Sequence, residues 1–73
     1  MLYRIKLNGR YAGKELKVNR YGQLQAVGFK ATTLLIAANI YKDYEHDLIV
    51  RDMLRLAEFV NASINSIELE RVA

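Results

Sequence analysis

The stretch from Asp47 to Asn61 has the periodicity of a helix lying on a flat apolar layer, and this restricts the rest of the chain more than any other feature. At about 100° per residue, Ile49, Val50, Met53, Leu54, Leu56, Ala57 and Val60 fall in one broad apolar arc. Arg51, Asp52, Arg55 and Glu58 lie opposite. Asp47 is placed to cap the N-terminus, where a carboxylate suits the positive end of the helix dipole. It also stands four residues before Arg51, the favourable order for an ion pair. The polar run Asn61-Ala62-Ser63 ends the periodicity, giving a helix over about 47–61. Such a helix needs a layer to cover. With 73 residues, a chain buries only about 60% of the surface its unfolded form exposes, which leaves room for one thin core.

The remaining segments supply that layer. Tyr3, Ile5 and Leu7 alternate with Arg4 and Lys6, the period of a half-buried strand at about 2–7. Asn8-Gly9 follows, a pair that readily takes positive φ and signals a hairpin. A two-residue loop there sets Leu7 against Arg10 and Ile5 against Ala12, which matches faces poorly. A longer loop over 8–15 sets Leu7 against Leu16 and Ile5 against Val18, so the next strand is expected at about 15–19. Arg20-Tyr21-Gly22 reads as a second turn. A third strand at about 23–29 turns Leu24 and Ala26 one way and Val27 and Phe29 the other, which a β-bulge beside Gly28 explains. Thr32–Ala38 is apolar on both faces as a strand. As a helix it aligns Ala31, Leu34, Leu35, Ala38 and Tyr41 but leaves Ile36 and Ile40 on the far side. Its β-branched residues favour a strand at about 32–38. Ile67 and Leu69 alternate with Glu68 and Glu70 in a last strand at about 66–72.

The expected fold is therefore α+β: a mainly antiparallel sheet of four to five strands, covered on one face by one helix, in a single domain spanning 1–73. Its apolar face (Tyr3, Ile5, Leu7, Leu16, Val18, Leu24, Ile67, Leu69) meets Ile49, Met53, Leu56, Ala57 and Val60 of the helix. The chain has no cysteine and one histidine, so no disulfide holds it together and thiolate metal sites are excluded. No cofactor or metal is implied. Met1–Leu7 lacks the apolar run of a signal peptide, and the longest apolar run, Leu34–Ala38, is five residues, far below the roughly 20 that span a bilayer. A cytoplasmic protein with no membrane association is the expectation.

Charge is divided along the chain. Residues 1–30 carry seven basic side chains and one acid, and residues 31–73 carry four basic side chains and seven acids. The basic half either neutralises against the acidic half or presents a positive surface to an anionic partner. Arg4, Lys6 and Lys17 point outward from the sheet, with Arg10, Lys14 and Arg20 in turns. Tyr11 and Tyr21 are interleaved with them, whereas Tyr3 belongs to the buried face. Cations that hold phosphates beside rings that stack on bases suit single-stranded nucleic acid, so these eight residues form the candidate contact for nucleic acid or an acidic protein. If the last strand pairs beside the first, Glu68 and Glu70 sit across from Arg4 and Lys6 and erase much of that potential.

Leu48, Asp52, Arg55 and Phe59 form a second seam along the helix, at i, i+4, i+7 and i+11. Either the neighbouring chain covers it, or it packs on another subunit with Asp52 and Arg55 paired across a two-fold axis, making a homo-oligomer, a dimer. Asp43, Glu45, His46 and Asp47 have donor atoms for a metal but match no calcium-loop spacing. Gly13-Lys14 runs into Glu15 and not into a phosphate-loop Ser or Thr, and no nucleophile has a histidine companion in sequence. No small-molecule substrate is implied. The expected function is that of a non-enzymatic, self-associating binding module with a basic face. The alternative is a protein–protein adaptor using Leu48 and Phe59 or a free sheet edge.

Overall fold

The computed structural model describes all 73 residues. The chain forms β1 (Leu2–Leu7), β2 (Arg10–Val18), β3 (Leu24–Thr32), a 3-10 turn (Leu35–Ala37), β4 (Tyr41–Lys42), α1 (His46–Val60), a second 3-10 turn (Ile64–Ser66) and β5 (Glu68–Arg71). One antiparallel sheet of five strands is covered on one face by α1, an α+β fold as the sequence patterns require. No helix is long and apolar enough to cross a membrane.

The pairings run β3-β2-β1-β4, with β5 also on β1. Tyr3 pairs with Tyr41 and with Arg71, and Lys6 pairs with Tyr11 and with Glu68. Thus β2 and β4 occupy successive stretches of one edge of β1, and β5 occupies the other. The core consists of Ile5, Leu7, Ala12, Ala31, Tyr41, Ile49 and Leu56, with Phe29, Met53, Ala57, Val60, Ala62 and Ile67 packed on it. Ile5, Leu7 and Leu56 are wholly buried, each contributing about 1.5–3 kcal/mol relative to exposure.

Several expectations need correction. The first hairpin closes with the two-residue turn: Leu7 stands opposite Arg10, and Asn8 and Gly9 take φ of 51° and 78°. The longer loop over 8–15 and the register of Leu7 with Leu16 are wrong. Positive φ at both central positions matches the turn to the twist of the strands. The mismatch of faces costs little because β2 leaves β1 after Tyr11. Ala12 and Gly13 turn to the 38–39 segment instead: Asn39 donates to the Ala12 carbonyl, and Gly13 bridges Ala38. Thr32–Ala38 is neither the strand nor the helix considered. Thr32 ends β3, and a 3-10 turn follows.

Local signals at the other turns hold. Val18 pairs with Leu24 across a loop in which Asn19 Oδ1 accepts from the amides of Tyr21 (2.9 Å) and Gln23 (3.0 Å), with Gly22 at φ 76°. The β2–β3 register shifts between Lys14 and Leu16, opposite Ala26–Phe29, where the bulge was expected. It brings Leu24, Ala26 and Phe29 onto one face, against Val18, Leu16 and Lys14. Leu16, Val18 and Leu24 do not meet the helix as expected. Val18 and Leu24 are 66% and 63% exposed, on a ribbon that runs past the end of α1.

Helix α1 starts one residue earlier than expected. Glu45 is its N-cap, without a side-chain capping bond, and Asp47 sits in the first turn. Asn61 closes it at φ 50°, its amide donating to the carbonyls of Ala57 and Glu58. Ile49, Asp52 and Leu56 are the buried residues, while Val50 and Leu54, assigned to the covered arc, are exposed. Arg51 does not pair with Asp47 but turns to Asp52, at 3.2 Å.

Candidate functional site

The outer sheet face carries the cations nearest the centre of the molecule. Strand β5 lies against β1 with Arg4 opposite Glu70 and Lys6 opposite Glu68. Glu70 takes both cations, Arg4 Nη1 at 3.2 Å and Lys6 Nζ at 3.7 Å. Tyr11 completes the cluster. Its hydroxyl donates to Glu70 at 3.5 Å, and its ring lies 6.0 Å from the Arg4 guanidinium and 5.8 Å from the Lys6 ammonium. Arg4, Lys6 and Tyr11 are thus engaged with a carboxylate and with one another. Each cross-strand charge pair of this kind is worth about 0.2–1 kcal/mol, and the shared carboxylate offsets part of the positive charge at the centre of the face.

The cations of the β2–β3 ribbon are placed differently. No ion pair of the molecule involves Arg10, Lys14, Lys17, Arg20 or Lys30. Lys17 pairs with Gln25 and Lys30 with Gly13, so both side chains leave the ribbon on the face away from α1. They are four strand positions apart, about 13 Å along the ribbon. Arg20 lies at the tip, 5.0 Å from the ring of Tyr21, which is 73% exposed. At the other end, Arg10 and Lys30 share a groove of about 330 Å³ with Ala31, Thr32, Thr33 and Leu34, and no carboxylate lines it. This arrangement can hold an extended anion: a groove with two cations, a third along the ribbon, and a cation beside an open ring at the end. Lys14 turns to the helix side, toward Arg51 and Asp52.

Lys30 was not among the residues singled out from sequence. With β2 placed at 15–19, its cross-strand partner Gly13 fell in a loop, and the side it faces had no meaning. The alternation of Phe29 and Ala31 around it was the signal.

The helix seam divides. Asp52, expected on the outer side with Leu48, Arg55 and Phe59, is 3% exposed and faces the core. The Tyr41 hydroxyl donates to its Oδ2 at 2.5 Å, and Arg51 and Arg55 reach Oδ1 at 3.2 and 3.7 Å. Asp52 and Arg55 are therefore paired within the chain, which corrects the expectation of reciprocal pairs across subunits. Asn39 Nδ2 donates to the same hydroxyl at 3.3 Å. Burial, and then the adjoining carboxylate, raises the Tyr41 pKa far above its usual value, so the phenol keeps its proton. Beside this network lies an open groove of about 570 Å³ walled by Leu35, Ile36, Ile40 and Leu48. Phe59, at the far end of the seam, stacks edge-on with Phe29 at 5.2 Å between centroids. No three His, Asp or Glu side chains converge as metal ligands.

Comparison with family models, with curated proteins and with solved structures finds no match to this chain.

Proposed function

We propose that the protein is a non-enzymatic binding module of the cytoplasm whose β2–β3 ribbon holds an anionic polymer, nucleic acid first. One observation carries this: the cations divide into two that share the Glu70 carboxylate, Arg4 and Lys6, and an unpaired row on the ribbon. Residues 10–32 include five basic side chains and a single acid, Glu15. Phosphate contacts supply most of the affinity of such surfaces and make it depend on salt. An exposed tyrosine next to Arg20 supplies a stacking platform for an unpaired base. The absence of cysteine is in keeping with a reducing compartment.

Binding of labelled single-stranded DNA or RNA, titrated with salt, tests this. Four contacts (Arg10, Lys17, Arg20, Lys30) give a slope of log K against log salt near about −3 for a single strand. Lys17→Glu with Arg20→Glu reduces affinity by at least about tenfold and flattens the slope, because two phosphate contacts become repulsions. No binding of the wild-type protein at low salt removes this function.

A second function, docking of a protein, rests on a different surface. Leu34, Leu35 and Ile36 are consecutive and 59%, 55% and 78% exposed, and the last two wall the groove that Leu48 completes. Contiguous exposed apolar groups of this kind mark interaction sites. Ile36→Asp discriminates between the two functions, since it leaves nucleic-acid binding intact.

A further inference from the structure

The side of the ribbon opposite Lys17 and Lys30 carries Lys14 at its root and is apolar and uncovered beyond it. Cross-strand pairing puts Lys14 with Phe29, Leu16 with Ala26 and Val18 with Leu24 on this side. At the root, Phe29 meets Phe59 of α1; beyond it nothing lies beneath the strip, and Val18, Leu24 and Phe59 are each at least 60% exposed. A two-stranded hairpin with an open apolar face is marginal in water. The dimensions of the molecule point the same way. Its radius of gyration is 12.5 Å, against about 11 Å for a compact chain of this length. Its accessible surface is 5100 Å², about 500 Å² more than a compact monomer of 8.4 kDa exposes.

We propose that a second copy of this chain covers the strip, in a two-fold dimer in which each ribbon tip lies over the root of the other ribbon. The axis passes near the Leu16–Ala26 pair, midway between root and tip. Three features select a second copy. The strip is complementary to its own reverse: the Val18–Leu24 end of one copy meets the Phe29–Phe59 platform of the other. Charge agrees at the tip: Lys17 and Lys30 point away from the contact, Arg55 over the Phe29 ring is held by Asp52 and Lys14 lies at the root, while Arg20 reaches Glu58 and the C-terminal end of the other copy's α1. Glu58 is exposed and has no ion pair in its own chain, and the last turn of α1 has no basic residue to offset its carbonyls. The area is of the right order: if the contact removed the surface in excess of a compact monomer, about 500 Å² from each copy, it would reach the roughly 1,000 Å² total of the smallest specific interfaces. The dimer leaves both cationic faces outward, but it does not depend on nucleic acid.

Sedimentation equilibrium without nucleic acid, across the micromolar range, tests the dimer. The wild-type protein is expected at twice its 8.4 kDa chain mass. Val18→Glu with Leu24→Glu is expected at the single-chain mass with its helical circular dichroism retained, because both positions are exposed within one chain. Leu34→Glu, on the other apolar surface, remains dimeric. Arg20→Glu and Glu58→Arg each weaken association several-fold, and the two together restore it. A single-chain mass for the wild-type protein overturns the proposal. So does a dimer that survives Val18→Glu/Leu24→Glu, or one that Leu34→Glu dissociates.

Discussion

Tyr41 and Asp52 join the short strand β4 to the middle of α1 through one buried hydrogen bond of 2.5 Å. Removing the hydroxyl leaves Asp52 with only its arginines, so Tyr41→Phe is expected to lower stability at neutral pH by about 1–3 kcal/mol, measured by urea unfolding. The same bond makes the fold sensitive to alkali. The folded pKa of Tyr41 lies above its ordinary value of 10.0, so the stabilisation is complete below that pH and is lost as pH rises through the folded value. Tyrosinate absorbance should show Tyr41 ionising only as the chain unfolds. In Tyr41→Phe the stability is expected to fall less steeply above pH 10.0. A Tyr41 that ionises at its ordinary value in the folded chain would mean that its hydroxyl is not held. Asp52 itself was open to a different inference from sequence. It lies three residues after Ile49 and four before Leu56, the spacing of the buried stripe, but its charge assigned it to the polar side. Only the partners, Tyr41 eleven residues away and the flanking arginines, make a buried carboxylate tolerable.

Among the elements, β2 is held at Gly13 by an approach that leaves no room for a side chain. A Cβ there would overlap the Ala37 carbonyl oxygen and the Thr32 methyl group. Gly13→Ala should therefore displace the 37–38 segment and cost about 1–3 kcal/mol, while Gly28→Ala, which meets nothing within 4 Å, should change stability by less than about 0.5 kcal/mol. Equal midpoints for the two variants in urea would show that the 37–38 segment adjusts freely. The elements legible in sequence are those with local causes: β1 by alternation, the second turn by Arg20-Tyr21-Gly22, the bulge by a change of parity, and α1 by its arc. The register of β1 with β2 was misjudged because matching of faces applies only where strands run together, and these two part at Tyr11. Thr32–Ala38 was misjudged because β-branched composition says nothing of the close passage across Gly13. The β5 pairing that brings Glu70 to Arg4 and Lys6 was visible as an option, but strand order is a long-range property that alternation does not decide.

On the scale of the molecule, the chain consists of a covered sheet and a ribbon that leaves it, along a longest dimension of 40 Å. None of Leu16–Gly28 is buried, so this part should be separable from the fold. Excising 16–26 and joining Glu15 to Val27 through Asn-Gly is expected to keep the helical signal and to change stability by no more than about 1–2 kcal/mol, while nucleic-acid affinity falls. Loss of cooperative unfolding in the shortened chain would show instead that the ribbon is part of the folding unit. Charge division along the sequence anticipated where cations gather, since hairpin neighbours in sequence stay neighbours in space. It could not show which of them a carboxylate would reach. The bulge in β3 has one more consequence, for many molecules at once. Strand β3 ends the sheet, and its free edge is interrupted opposite Glu15 and bears Lys30 nearby. An incoming chain finds no straight row of amides to extend at this edge, so sideways stacking through β3 is disfavoured.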